Sequence, residues 1–212
     1  MASRDRIDSL EELEAAADRL CAVEPRFAHV RAVCGPMRLR RQEDGFAALL
    51  EMIVGQQVSV ASADAVWRRL QAAGLTEAAA VLAAGEDALR ACGLSRQKLR
   101  YARALAGAGI DYAALRGAAP AGVVAVLTAV PGIGRWTAEI YAKFALGHAD
   151  VMAAGDLALQ EGARLLFALP DRPDERALRG LAEGWSPWRT VAACLLWQYY
   201  AHARGRQGIR TA

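Results

Sequence analysis

The stretch Leu127-Thr128-Ala129-Val130-Pro131-Gly132-Ile133-Gly134-Arg135-Trp136-Thr137-Ala138 decides how the rest of the chain is read. A helical run from about Pro120 breaks at Pro131, two glycines make a tight turn, and a second helical run starts at Arg135. Gly132 and Gly134 allow positive φ and let the backbone come close to another group. The second helix then presents unpaired N–H groups at the turn, and such an end attracts anions, phosphate above all. An ordinary turn between antiparallel helices has the same look, so the glycines alone leave both readings open.

Working outward, the chain reads as helix after helix. It has 212 residues, enough for one domain or two small ones. Alanine, leucine and arginine dominate and β-branched runs are short, which points to an all-α fold. Ser9 and Glu12 form a capping box before Leu10, Leu13 and Leu20. A helix starts near Pro25 and stops at Gly35-Pro36, and a basic patch, Arg38, Arg40 and Arg41, follows. Asp44 is placed to cap a helix carrying Phe46, Leu49, Leu50 and Ile53, which Gly55-Gln56-Gln57 interrupts before a long helix over 59–73. Three shorter helices are expected next, capped at Thr76, Glu86 and Ser95. The last of them carries Arg96, Lys98, Arg100 and Arg103, a pattern that fits a solvated face. Beyond the hairpin, helices are expected over 157–168, 173–183 and 187–203, with a frayed tail from Gly205.

Composition excludes several classes. Hydrophobic residues make up 54% of the chain, so wholesale disorder is out. A net charge of +3 permits a nucleic-acid partner without arguing for one. Cys21, Cys34, Cys92 and Cys194 lie far apart, which fits neither a zinc site nor a disulfide framework; buried free thiols in a reducing cytoplasm are expected. The charged start Met1-Ala2-Ser3-Arg4-Asp5 does not read as a signal peptide, and no apolar stretch reaches the roughly 18–20 residues of a membrane span.

The segment from Val130 to Asp156 resembles the hairpin and following aspartate of the helix-hairpin-helix (HhH-GPD) DNA glycosylase superfamily. Pro131 to Ala138 is similar to the 3-methyladenine-DNA glycosylase II family in particular. Ile53-Val54-Gly55-Gln56-Gln57-Val58-Ser59 is similar to that family's loop that enters the DNA helix, and Trp185-Ser186-Pro187-Trp188-Arg189 to its C-terminal aromatic segment. Together the three cover roughly residues 25 to 200, in the family's order.

The resemblance implies an all-α fold of two helical subdomains, residues 42–148 and residues 1–41 with 149–212, and a DNA cleft between them. It implies a monofunctional glycosylase that releases alkylated purines of the 3-methyladenine and 7-methylguanine type from duplex DNA. Asp156, twenty residues after Trp136, matches the catalytic carboxylate. Its own setting agrees: Gly155-Asp156-Leu157 stands where a helix starts, and the dipole there favours the ionised form. An ionised carboxylate stabilises a sugar that gains oxocarbenium character as its base leaves, and can also place the attacking water. A plain N-cap would use the same residue. Asp150 is a rival whose spacing from the hairpin does not match.

Superfamily members that also cut the strand carry a lysine nucleophile where this chain has Trp136, and Lys143 stands seven residues further on. An electron-rich ring attracts a cationic alkylated base, so Trp136, Trp185, Trp188 and Tyr141 are the base-pocket candidates. The family's second aromatic, four residues after the tryptophan, is Ile140 here. Gln57 matches the wedge that fills the gap left by a flipped nucleotide, with Gln56 supporting the loop. Pro131, Gly132, Ile133, Gly134, Arg135, Thr137 and Arg189 are the candidate DNA contacts. The resemblance further implies a monovalent cation, Na+ or K+, on the backbone carbonyls of Thr128, Val130 and Ile133. No iron–sulfur cluster is expected, because Cys194 stands alone. Nor is the extra N-terminal β-domain of some relatives. The expected partner is double-stranded DNA with alkylated bases, the expected protein a monomer of the cytoplasm, at the nucleoid if bacterial. The rival readings are a non-catalytic helix-hairpin-helix DNA-binding module, a bifunctional glycosylase/lyase, and an unrelated helical protein.

Overall fold

A computed structural model describes residues 6–205. Among the described residues the regular elements are helices, with one isolated bridge pairing Arg6 and His148. They are α1 (Leu10–Val23), α2 (Arg26–Cys34), α3 (Phe46–Gly55), α4 (Val60–Ala72), α5 (Ala78–Ala83), α6 (Glu86–Ala91), α7 (Arg96–Gly107), α8 (Tyr112–Gly117), α9 (Pro120–Thr128), α10 (Arg135–Phe144), α11 (Leu157–Leu166), α12 (Glu175–Ala182), a 3-10 turn at Glu183–Trp185, and α13 (Arg189–Ala203). No helix is long and apolar enough to cross a membrane among these residues.

The chain divides into two compact units. One runs from Gln42 to Tyr141; the other takes the chain up to Arg41 and from Ala142 onward. The sequence places this second boundary at residue 148, whereas the division falls inside α10, because the end of that helix and the loop after it are built into the unit of the two termini.

That unit is organised around α13. Val191, Ala192, Ala193, Leu195 and Leu196 are fully buried, and α13 packs on α11, α2 and α1. Helices come closest where one side lacks a side chain. At Gly162 of α11 a Cβ would sit 2.5 Å from the Leu196 carbonyl oxygen, so only glycine fits. Ser9 and Glu12 close the capping box on α1 as expected.

The loop between α10 and α11 is fixed rather than free. Arg41 donates to the carbonyls of Phe144 at 3.0 Å and Ala145 at 2.9 Å, and Arg6 to that of Leu146, so two arginines satisfy the open carbonyls at the end of α10. Thr190 ties the same loop to α13: its hydroxyl donates to the His148 carbonyl at 2.6 Å and accepts from the Val151 N–H at 3.2 Å.

The other unit is built on α3, whose Phe46, Leu49, Leu50, Met52, Ile53 and Val54 are all buried, with α4 and α7 packed on it. A helix apolar on most sides belongs at the centre of its unit. Asp44 does not cap α3. Its carboxylate pairs with Arg116 at 2.6 and 3.1 Å, and the N-cap position is Gly45, with φ of 113°. Residue 77, not Thr76, precedes α5; Gly85 precedes α6; Ser95 caps α7 as expected; Asp111 caps α8. Of the four cysteines, all free thiols, Cys92 is buried and the other three are half-buried. The expected fraying from Gly205 falls almost wholly outside the described residues.

Gly162→Ala is expected to force α11 away from α13 and to lower stability by about 1–3 kcal/mol. Urea unfolding of the two proteins measures it, and a stability difference near zero would show that the helix pair can spread without cost.

Candidate active site

The hairpin lies in the unit of α3. After α9 the chain turns through Val130 and Ile133, both buried, with the Ile133 N–H donating to the Val130 carbonyl at 3.1 Å. Gly132 carries a positive φ, 93°, and a Cβ there would sit 2.2 Å from the Tyr101 ring, so the turn needs glycine for space as well as for conformation; Gly134, expected to share this part, has neither a positive φ nor a group within 4 Å of its Cβ position. Pro131, Gly134 and Arg135 are exposed. Thr137 is only 4% exposed. Arg135 keeps an exposed guanidinium while its Nε bonds Glu139 at 3.0 Å.

The Gln56–Gln57 loop is joined to this turn. Gln56 Nε2 donates to the Gly132 carbonyl at 2.9 Å. Gln57 is exposed and its φ is 58°, a left-handed conformation that side chains other than glycine seldom adopt. A cavity of about 580 Å³ opens between the loop and the turn, bordered by Gln56, Gln57, Lys98, Tyr101 and Gly132. Lys98 closes α3 by donating to the Val54 carbonyl at 2.6 Å, and its amine is held below its ordinary range by burial. Arg103 likewise bonds the Ala84 carbonyl at 2.9 Å. The basic face of α7 is therefore not simply solvated: two of its four cations fasten neighbouring helix ends, while Arg96 and Arg100 are exposed.

Asp156 lies in the other unit, at the N-terminus of α11. Its Oδ1 accepts from the N–H groups of Ala158 at 2.8 Å and Leu159 at 3.1 Å, which is capping, and from the indole Nε1 of Trp197 at 3.2 Å, which capping does not require. Gln160 holds the turn before it by donating to the Ala154 carbonyl at 2.9 Å. Trp197 is 5% exposed and stacks on Phe144 at 5.8 Å. Sequence reasoning missed Trp197, which sits in an apolar run of α13 that reads as core.

Two base-pocket candidates prove to be packing residues. Trp185 is 2% exposed and wedged between Phe27 at 5.3 Å and Phe167 at 5.5 Å, within the core of its unit. Tyr141 is fully buried, and its hydroxyl accepts from the Gly45 N–H at 2.8 Å. Trp136, 38% exposed, and Trp188, half-buried, keep accessible faces. Arg189 is likewise committed elsewhere. Its guanidinium forms a two-pronged pair with Asp150 at 2.6 and 2.7 Å. Asp150 also accepts from Ser186 at 2.8 Å, so the rival carboxylate has a structural role and binds the loop to the start of α13.

The family of HhH-GPD superfamily base excision DNA repair proteins matches residues 50–187, and the chain belongs to it. It is 28% identical over 177 residues to the DNA-3-methyladenine glycosylase 1 of Schizosaccharomyces pombe, covering 77% of this chain and 75% of that one. The solved structure of a DNA-3-methyladenine glycosidase from Bacillus halodurans superposes with a TM-score of 0.81 at 30% identity, over 90% of this chain and 91% of that one. A 3-methyladenine DNA glycosylase of S. pombe, solved in complex with abasic DNA, gives 0.76 at 26% identity, over 86% and 95%.

Burial pushes the Asp150 carboxyl up, but its bonds from Arg189 and Ser186 outweigh that and hold it below its ordinary 3.8. A carboxyl depressed in the folded state contributes stability above its unfolded value and loses it as pH falls through the folded one. Asp150→Asn is therefore expected to cost about 1–3 kcal/mol at neutral pH. The difference from wild type should shrink as the pH is taken below 3.8. Thermal melts across that range measure it, and a pH-independent difference would remove the ion pair as its cause.

Proposed function

We propose that the chain is a monofunctional DNA glycosylase that hydrolyses the N-glycosidic bond of alkylated purines in duplex DNA. Asp156 meets the positive charge that develops on the sugar. The observation that carries this reading is the indole N–H of Trp197 joining two backbone N–H groups on one Asp156 oxygen. Three donors hold the carboxylate in one orientation, which an electrostatic role needs and a simple cap does not. The names of the similar proteins, 3-methyladenine glycosylases, point to the same substrate class.

In this reading the hairpin's backbone N–H groups grip a phosphate whatever the base sequence, with Arg135 alongside. Gln57, held in its strained conformation by the loop, enters the space of the extruded nucleotide. Trp136 offers an aromatic face to a base already carrying positive charge. Such a base leaves without a general acid. The carbonyls of Thr128, Val130 and Ile133 suit a monovalent cation. The Val130 oxygen already accepts from the Ile133 N–H, and a carbonyl has a second lone pair to give. Trp136 cannot form a Schiff base, and the Lys143 amine is buried beneath the Trp197 ring, so borohydride should trap no enzyme–DNA adduct.

Asn caps a helix as well as Asp does, so Asp156→Asn should keep its fold and its affinity for an abasic-analogue duplex while losing base release by about two to three orders of magnitude. Base release from N-methylated duplex DNA is the assay. Wild-type protein that binds but frees no base would leave a DNA-binding module in place of an enzyme. Trp136→Ala should reduce kcat/KM on such DNA by roughly 2- to 30-fold, the range of a cation–π contact, and an unchanged value would take Trp136 out of the pocket.

A further inference from the structure

Lys143 is the side chain that the proposed mechanism leaves without a role. It is 2% exposed, and a lysine is almost never buried so completely unless it is paired. Among the described residues no acceptor meets its Nζ in hydrogen-bonding geometry. The Cys194 thiol stands beside it, at best a weak acceptor. The amine lies instead over aromatic faces, 3.9 Å from the centre of the Trp197 ring and 4.9 Å from that of Phe144. That same Trp197 donates its N–H to Asp156. One indole therefore carries the Lys143 amine on its face and the Asp156 carboxylate at its edge.

We propose that Lys143 is a positioning residue for Asp156: set across the Trp197 indole from the carboxylate, it keeps Asp156 ionised when DNA covers the site. The proposal rests on the reading of Asp156 as the catalytic carboxylate. A cation on the face of an indole draws π density toward itself and leaves the N–H more positive, a stronger donor to the carboxylate. Bound DNA works the other way. Its phosphates and the water it displaces both favour the protonated acid. A buried positive charge nearby offsets them.

The surroundings pull in both directions. Burial pushes the Lys143 amine below its ordinary 10.5, the Cys194 thiol and the Asp156 carboxylate draw it back, and Arg40 adds to the lowering. On the Asp156 side, the Glu175 carboxylate comes within 3.3 Å of where a Gly155 side chain would begin, and it is paired with Arg179 at 2.7 Å. For packing alone the lysine is a poor choice: a buried charge costs desolvation that a methionine of similar length would not.

The sign of the effect is specific. A cation near the sugar opposes the oxocarbenium ion, so Lys143 gives no advantage where Asp156 is already ionised. Its benefit appears only at lower pH. Single-turnover base release should therefore be followed against pH for wild type, Lys143→Met and Lys143→Arg, each normalised to sites that bind an abasic-analogue duplex. In Lys143→Met the acidic limb should move up by about one pH unit, with a loss of about tenfold on that limb. On the plateau the rate should be equal or higher. Lys143→Arg should return the limb toward wild type.

The thermal midpoint of Lys143→Met should equal or exceed that of wild type. The margin should narrow as pH rises toward 10.5, where the unfolded chain still holds the proton that the folded lysine has released. An unmoved limb, or a lower midpoint with a uniform loss of rate at every pH, would overturn the proposal and leave Lys143 a structural residue. Failure of the glycosylase reading itself looks different: wild type would release no base, or Asp156→Asn would release it as well as wild type does.

Discussion

One carboxylate oxygen joins α11 to α13 in the unit built from the two ends of the chain. Asp156 Oδ1 receives the first N–H groups of α11 and the indole N–H of α13. A hydrogen bond to a charged group contributes about 1.5–3 kcal/mol, so this junction helps fix where α11 starts and how Trp197 is turned. The neighbouring features serve the same junction. Gly162 lets α11 approach α13, Thr190 and the Asp150–Arg189 pair hold the preceding loop to α13, and Arg6 and Arg41 close the helix before it.

The other unit solves a simpler problem, the presentation of backbone. Gly132 has space for nothing larger beneath Tyr101, and Gln56 reaches over to take the Gly132 carbonyl. The turn and the loop are thereby locked to each other, and the strained backbone at Gln57 is held by a neighbour rather than by its own preference. Lys98 and Arg103 complete the arrangement by satisfying carbonyls at the ends of α3 and of α5.

Much of this was legible in the sequence because it depends on local rules. Helices, their serine caps, the glycine turn and the aspartate at a helix start follow from residue type and spacing, and apart from α8, which the sequence reading did not anticipate, their positions agree with the structure to within a few residues. What was not legible depends on which distant groups meet. Asp44 reads as a cap and is taken by Arg116, 72 residues on. Arg189 reads as a phosphate contact and is taken by Asp150. Trp185 and Tyr141 have the right chemistry for a base pocket but are spent on packing. Trp197 and Lys143 sit at helical positions that look apolar or incidental, and only the folded chain brings them to Asp156.

The double use of Asp156 has a consequence for how this protein can fail. Most damaging substitutions at a helix junction unfold a chain, and unfolded chains are cleared by proteases. At this position the change to asparagine keeps the cap and removes only the charge. On the proposed reading the result is a stable protein that still settles on damaged DNA and never leaves it repaired. Losing the charge there removes the chemistry and leaves the binding surface in place, which losing the fold would not.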